Sequence, residues 1–484
     1  MTDILCQLIS EKGCLLVLRP GMTNEDMRQF IDDIRTNWRP EWGDLDAIDL
    51  DAWAHELAWS YTADIDRLVD RIRDRYALGR GRPAADPAGL IRLMGLITVR
   101  EAGSLVDGWR QVRQMPLLAR LCGWETVADI PAIGTIYGFL RRLYPEVHPR
   151  VGAWRRPSGR RLKLKIGQKM PPRPSDVWDR LLAATVIASV RRGVLPPTWH
   201  LAPDGSPIDS GACSFGSKRC ECPGKSCQCQ RWFSDPMALL GWDSHRHRYF
   251  FGYMPLAMSV VNGMPGQRSH PLLVSLALHP GNRNDAIAYP DLLVKTQTLY
   301  AAEDPSIQIT HMVGDAAFDV NALWAFTRER GIIPAFAPPG PVDPARISPA
   351  AMAAGITLDP QNRPHCGANR ELICLGQKRL GVTVYACPLR QRRHESCDHP
   401  CGKVRQTVTV NDRGSRYADS GVPYGTPAWN TLYAERTGVE RAFSLWTQDG
   451  IKRAHHRRPY LWLARLAMGA IVAHHEAWER AATA

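Results

Sequence analysis

The chain has no apolar stretch long enough to cross a bilayer, for which about twenty consecutive residues are needed. The best candidate, 461–472, is too short and carries Arg465, so it reads as a buried helix. The amino terminus meets Asp3 and Glu11 early and lacks the basic and then apolar pattern of a secretory signal. A cytoplasmic, nucleoid-associated location is therefore expected. In that compartment the thirteen cysteines should not pair as disulfides; clustered, they suggest metal, and scattered, small buried side chains. Acidic residues are the minority charge, 48 Asp and Glu against 61 Lys and Arg, for a formal charge of +13 and a pI near 9.3. That excess attracts a polyanion. A membrane surface would satisfy it, but nucleic acid fits the pattern below better. What is present is globular: 44% apolar and 23% charged over 484 residues, enough for about three domains.

Six segments follow along the chain. Residues 1–85 form a helical amino-terminal region, with Thr23 and Asp26 as a capping box and Ile65, Leu68, Val69 and Ile72 as an apolar stripe. Residues 86–154 read as three helices, the first starting at Asp86-Pro87, the second running from Ser104 to Gly123. The third spans 136–143 and exposes Arg141 and Arg142, as a DNA-binding or dimerisation module would, or an ordinary bundle with solvated arginines. Residues 155–197 hold a basic linker: from Arg155 to Arg173 there are eight cations, including Arg160, Arg161, Lys163 and Lys165, and no acid. Such charges repel one another unless phosphate neutralises them. Residues 198–337 alternate strands and helices, 338–427 form a Cys-rich insertion, and 428–484 begin with a helix predicted over 428–446. The element order is three strands in a meander, then helix, strand, helix, strand and, after the insertion, a last helix. This is an α/β arrangement, an RNase H-like mixed sheet flanked by helices.

Phosphodiester chemistry asks for acids at strand ends and on a packed helix, where they can hold two divalent ions about 3.5–4 Å apart. Asp204 and Asp315 end the first and fourth strands of the catalytic segment, and Glu440 lies on the last helix. Carboxylates after strands also cap turns, and Asp319 could cap a helix beginning at Val320. Asp315 differs in ending an apolar run, where an acid is costly without compensation.

The stretches His200-Leu-Ala-Pro-Asp204-Gly-Ser, Val313-Gly-Asp315-Ala-Ala-Phe-Asp319 and Tyr433-Ala-Glu-Arg436-Thr-Gly-Val-Glu440-Arg-Ala-Phe-Ser444 resemble the three motif regions of bacterial insertion-sequence DDE transposases. Residues 130–143 resemble the helical amino-terminal module of the same group. The resemblance covers most of 86–475. It implies catalytic, metal-holding roles for Asp204, Asp315 and Glu440 with Mg²⁺ or Mn²⁺, and a protein working as a homodimer on transposon ends and target DNA. Such families carry a Lys seven positions after the Glu. Here that position is Thr447, and the nearest lysine is Lys452. On one continuous helix, Tyr433, Arg436 and Glu440 would share a face. Lys452 and Arg453 open a second acid-free run through Arg457 and Arg458, suited to phosphate.

Cys220, Cys222, Cys227 and Cys229 form Cys-x-Cys-x4-Cys-x-Cys, and Cys387, Cys397 and Cys401 belong to a later group with Cys366 and Cys374. Both are candidate zinc ligand sets; a redox-sensitive loop is the alternative for the first. Two other functions share much of this pattern. One is an RNase H-like nuclease or resolvase without strand joining, against which the helical module and basic linker argue. The other is a domesticated, non-catalytic zinc-containing DNA-binding protein, against which the three acids argue.

Overall fold

Asp86 and Pro87 start a helix as their order suggests. The Asp86 carboxylate accepts the N–H groups of Ala88 and Gly89 at 2.9 and 3.0 Å, and Pro87 fills a first-turn position that needs no donor. The structure is a computed structural model that describes residues 21–36, 52–76, 84–144, 153–155, 177–223, 227, 229–264, 271–340, 347–359, 363–379, 382–390, 407–411, 416–417, 421–454 and 456–483. The chain divides into two compact units, one of residues 1–309 with 437–484, the other of 310–436.

In the first unit the amino-terminal helices are α1 (Asn24–Thr36), α2 (Ala54–Thr62), α3 (Ile65–Asp70), α4 (Pro87–Val99), α5 (Leu105–Gln114), α6 (Pro116–Leu121) and α7 (Ile133–Arg142). The helix expected from Ser104 to Gly123 is two. Pro116 pushes the residue before it out of helical geometry, and Met115 is extended at φ −119° and ψ 102°. Next come β1 (Ala153–Arg155), α8 (Val177–Arg191), β2 (Thr198–Gly205), β3 (Ile208–Asp209), β4 (Arg231–Phe233), β5 (Leu239–Asp243), β6 (Arg248–Val260), β7 (Leu272–Pro280) and α9 (Asp285–Glu303). The long strand β6 is the hub, pairing antiparallel with β2, β3, β5 and β7. β1 pairs with β4 in a separate ribbon.

The last helix, α14 (Pro459–Thr483), packs on α4, α8 and β7, so the amino-terminal helices and the sheet share one core. Its buried polar groups are paired across that core. Trp478 Nε1 donates to Ser189 Oγ at 2.6 Å, Ser189 Oγ lies 2.7 Å from His474 Nδ1, and His474 Nε2 lies 3.0 Å from the Leu273 carbonyl. A carbonyl only accepts, so the neutral ring carries its proton on Nε2 and takes the serine hydrogen on Nδ1. Burial holds His474 down to about 4 and His475 to about 3, which keeps both uncharged.

In the second unit β8 (Gln308–Gly314) and β9 (Ile333–Phe336) run parallel across the connecting helix α10 (Asn321–Arg328), Gly314 facing Phe336. The expected Cys-rich insertion carries α11 (Pro349–Ala353) and the strands β10 (Thr357–Leu358), β11 (Pro364–His365), β12 (Ile373–Arg379), β13 (Val382–Ala386) and β14 (Thr407–Asn411). β12, β13 and β14 form an antiparallel sheet over a small core of Ile347, Ile356, Leu372, Val408 and Val410.

The mixed α/β order is as expected, but with three departures: α8 with its buried apolar face occupies 177–191 of the expected basic linker, β3, β4 and β5 stand between the first two expected strands, and the end of the chain differs. The helix predicted over 428–446 is broken into α12 (Pro427–Ala434) and α13 (Thr437–Gln448). The last turn of α12 tightens: Glu435 and Arg436 donate to carbonyls three residues back, Leu432 and Tyr433, at 3.2 and 3.0 Å. Tyr433, Arg436 and Glu440 therefore do not lie on one continuous helix, and the shared-face argument for them fails.

Candidate active site

Asp204 is the penultimate residue of β2, opposite Ala257 of β6. Trp199, Leu201, Ala202 and Pro203 are buried, whereas Asp204 and Gly205 emerge half-buried, as expected where a strand leaves the core. The Asp204 Oδ1 accepts the Gly205 N–H at 2.8 Å. A second acid lies against the backbone one residue on, at Gly205. A Cβ at Gly205 would collide with the carboxylate of Asp285, the first residue of α9, so glycine is what admits Asp285 to the backbone next to Asp204. Sequence reading missed Asp285 because an acid opening a helix is ordinarily explained by capping and the helix dipole.

Helix α13 buries Gly438, Val439, Ala442, Phe443 and Trp446 and packs on β2, β6 and β7. Its rotation is fixed by Gly438: a Cβ there would lie 2.9 Å from Val261 Cγ1 and 3.2 Å from Pro271 Cβ. Glu440, in the first turn, is thereby left on the exposed side. After α13 the chain reverses at Gly450, whose φ of 65° suits glycine, and enters a short helical turn, Ile451–Arg453.

That turn brings Lys452 into the electrostatic reach of Asp204. The ammonium is half-buried, its Nζ 5.9 Å from the Phe443 ring centroid. Burial, then the charge of Arg246, holds it below the ordinary lysine range, and Asp204 and Asp243 pull the other way. Arg246 comes from the tip of the β5–β6 hairpin. Asp243 Oδ1 organises the tip by accepting the N–H groups of His245 and Arg246, both at 3.1 Å, and His247 takes the left-handed conformation at φ 50°. Behind the tip, Trp242 and Tyr249 stack edge to face at 4.9 Å. They are 49% and 63% exposed, high values for aromatic side chains. Periodicity did not single out this hairpin, because β5 is short and alternates poorly.

Further along the same basic run, the His456 carbonyl accepts the Gly211 N–H at 2.8 Å, and Arg457 Nε donates to the Gly211 carbonyl at 3.0 Å. The run is thus sewn to the loop after β3.

In the second unit, Asp315 follows β8 half-buried and accepts the Ala317 N–H at 2.9 Å. Asp319 is spoken for instead. It takes an ion pair from Arg416 at 2.7 Å, the Tyr417 hydroxyl at 2.6 Å and Trp324 Nε1 at 3.0 Å. Three side chains thus hold Asp319, whereas Asp315 accepts from its own turn. Tyr433 stacks on Trp429 with centroids 4.6 Å apart and rings 8° from parallel. It joins Val313, Ala335 and Leu432 in the packing of that unit.

Among the other expected DNA contacts, Arg141 is exposed, with its Nε donating to the Tyr137 carbonyl at 3.2 Å. Arg142 lies over the Tyr76 ring at 4.6 Å. Arg160, Arg161, Lys163 and Lys165 fall outside the described residues, as does the Arg453 side chain.

The first cysteine group closes on itself. The ligand atoms of Cys220, Cys222, Cys227 and Cys229 all lie within 4.8 Å of one another. The hydrogen-bonding neighbours Cys222 and Cys220 push the Cys229 thiol up to about 12. Among the described residues it is the only such group. Of the later set, Cys387 is half-buried, Cys374 is exposed and Cys366 packs against the small insertion core. Cys397 and Cys401 fall outside the described residues.

Among the described residues no helix is long and apolar enough to cross a membrane. A family model described as a transposase DDE domain matches residues 225–473, just over half of the chain. No curated protein matches it.

Proposed function

The chain belongs to the transposase DDE-domain family, and from that premise we propose that it binds the ends of an insertion sequence and carries out hydrolysis and strand transfer with Asp204, Asp315 and Glu440. The observation that carries this reading is the half-buried Lys452 in the turn after Gly450, within electrostatic reach of both Asp204 and Arg246. A carboxylate beside two cations is what a metal-assisted reaction at a phosphate asks for: the acid for a hard cation, the cations for the phosphate oxygens.

The donor set fits Mg²⁺ or Mn²⁺. Asp204 is half-buried yet not enclosed, and the three proposed donors, Asp204, Asp315 and Glu440, all offer hard oxygens. Glu440 stands on the exposed side of a helix whose rotation is locked. Asp315 enters the reading on its motif and on its contrast with the saturated Asp319. Bound there, the metal would lower the pKa of an attacking hydroxyl and stabilise the leaving oxygen. The protein's own work is to hold the carboxylates in place, to seat phosphate oxygens on Lys452 and Arg246, and to lay DNA along the Trp242–Tyr249 edge. The basic linker 155–173, with Arg160, Arg161, Lys163 and Lys165, and the exposed Arg141 and Arg142 would follow the duplex backbone, with two chains acting as a homodimer. Lys452 would take the phosphate-contacting part that Thr447 cannot play.

The test is strand transfer in vitro with the element's own flanking ends and Mg²⁺ or Mn²⁺. Joined products that depend on all three acids support the reading. Cleavage without joining would instead indicate a nuclease.

A further inference from the structure

We propose that Cys220, Cys222, Cys227 and Cys229 form a closed, structural zinc site that folds the loop between β3 and β4, independently of the DNA chemistry. The first ground is geometry. Four sulfurs at about 2.3 Å around one tetrahedral zinc stand about 3.8 Å apart. Here Cys220 Sγ lies 3.3 Å from Cys227 Sγ, Cys222 Sγ lies 3.5 Å from Cys229 Sγ, and no ligand atom is more than 4.8 Å from any other. The pairing crosses between the two Cys-x-Cys arms, so the arms face each other across one centre. All four are free thiols, at separations well beyond a disulfide bond of about 2.05 Å. A set of four soft thiolates selects zinc over the hard ions suited to carboxylates, and filling all four positions leaves none for substrate.

The second ground is that the loop has no apolar core of its own among the described residues. None of the described residues between 211 and 230 is buried. A segment this long without an apolar core does not offset its ordering entropy unless a metal or cross-link does so. Its ends are anchored. Gly211 is bonded to His456 and Arg457, and Ser217 and Trp232 exchange backbone hydrogen bonds at 2.7 and 3.0 Å where β4 joins β1. A metal between the arms would complete this frame. It would hold Phe215, 69% exposed, and the exposed Arg219 outward, with the Lys218 ammonium donating to the Cys222 carbonyl.

The experiment is metal analysis of the full chain purified under reducing conditions without added zinc. Three proteins are compared: the wild type, the double variant Cys222→Ser/Cys227→Ser, and the control Cys213→Ser, which alters an exposed cysteine of the same loop. The double variant should lose about one zinc per chain relative to wild type, and the control none. Tryptic cleavage after Lys218 and Arg219 should accelerate in the double variant while the melting of the remaining protein stays near wild type. Equal zinc content in wild type and double variant overturns the proposal, whether both hold zinc or neither does. So does iron with sulfide in place of zinc, or a thiol count showing these four cysteines oxidised to disulfides.

Discussion

Replacing both Arg246 and Lys452 by glutamine tests the phosphate-seating role most directly. The two cations sit close enough that Arg246 depresses the Lys452 ammonium. Without DNA they repel each other, and in the complex a phosphate would relieve that repulsion. Each phosphate contact contributes about 0.9 to the slope of log affinity against log salt on duplex DNA, so losing two lowers the slope by about 1.8. Between about 50 and 200 mM salt, a fourfold change, the variant should therefore lose roughly twelvefold less affinity than wild type. Binding would be measured by fluorescence anisotropy with transposon-end DNA and with an unrelated duplex. The loss should be nearly the same on both, because a phosphate contact carries no sequence information. The fold of the variant is checked by its thermal melt, and a folded variant whose salt slope equals that of wild type refutes the reasoning.

Three further outcomes are expected. Asp204→Asn, Asp315→Asn and Glu440→Gln should each abolish metal-dependent cleavage and strand transfer while leaving DNA binding largely intact; near wild-type cleavage by any of them removes that acid from the site. The buried His474 and His475 should make folding acid-sensitive. The unfolded rings protonate near the ordinary value of 6.5, while burial holds the folded ones at about 4 and about 3. Their contribution is therefore present above pH 6.5 and lost as pH falls through the folded values, on the order of 3 kcal/mol for His474 alone at about 1.4 kcal/mol per unit. Thermal melts of wild type and His474→Gln across that range should converge as pH drops, and parallel curves would contradict this. Finally, Gly95→Ala in α4 would drive a methyl group into the Trp59 ring, and such overpacking costs about 1–3 kcal/mol; an unchanged melting temperature would show that Trp59 can move aside.

Much of the arrangement was legible in the residues because local rules dominate there. The apolar runs around 249–261 and 272–278 are strands β6 and β7, and Asp86-Pro87 and Ser104 start helices, as capping chemistry dictates. The positions of Asp204 and Asp315 at strand ends could be read from where apolar runs stop. A break such as that between α12 and α13 could not. Leu432, Ala434, Glu435 and Arg436 are all good helix formers, and only tertiary packing selects the tight turn at 435–436. Glu440 is accordingly oriented by Gly438 against Val261 and Pro271, a contact between residues far apart in sequence.

The sequence by itself determined the charge, the mixed α/β order, the candidate acids and the four-cysteine spacing, because each depends on neighbours along the chain. Only the tertiary structure decided that Asp319 is consumed by Arg416, Tyr417 and Trp324 while Asp315 is not. It also decided that Asp285 stands beside Gly205, and that Lys452, displaced from the position where a lysine was sought, lies with Arg246 near Asp204. Electrostatic partnership is set by distance in space, and a single short turn after Gly450 places a cation that residue counting had left without a partner.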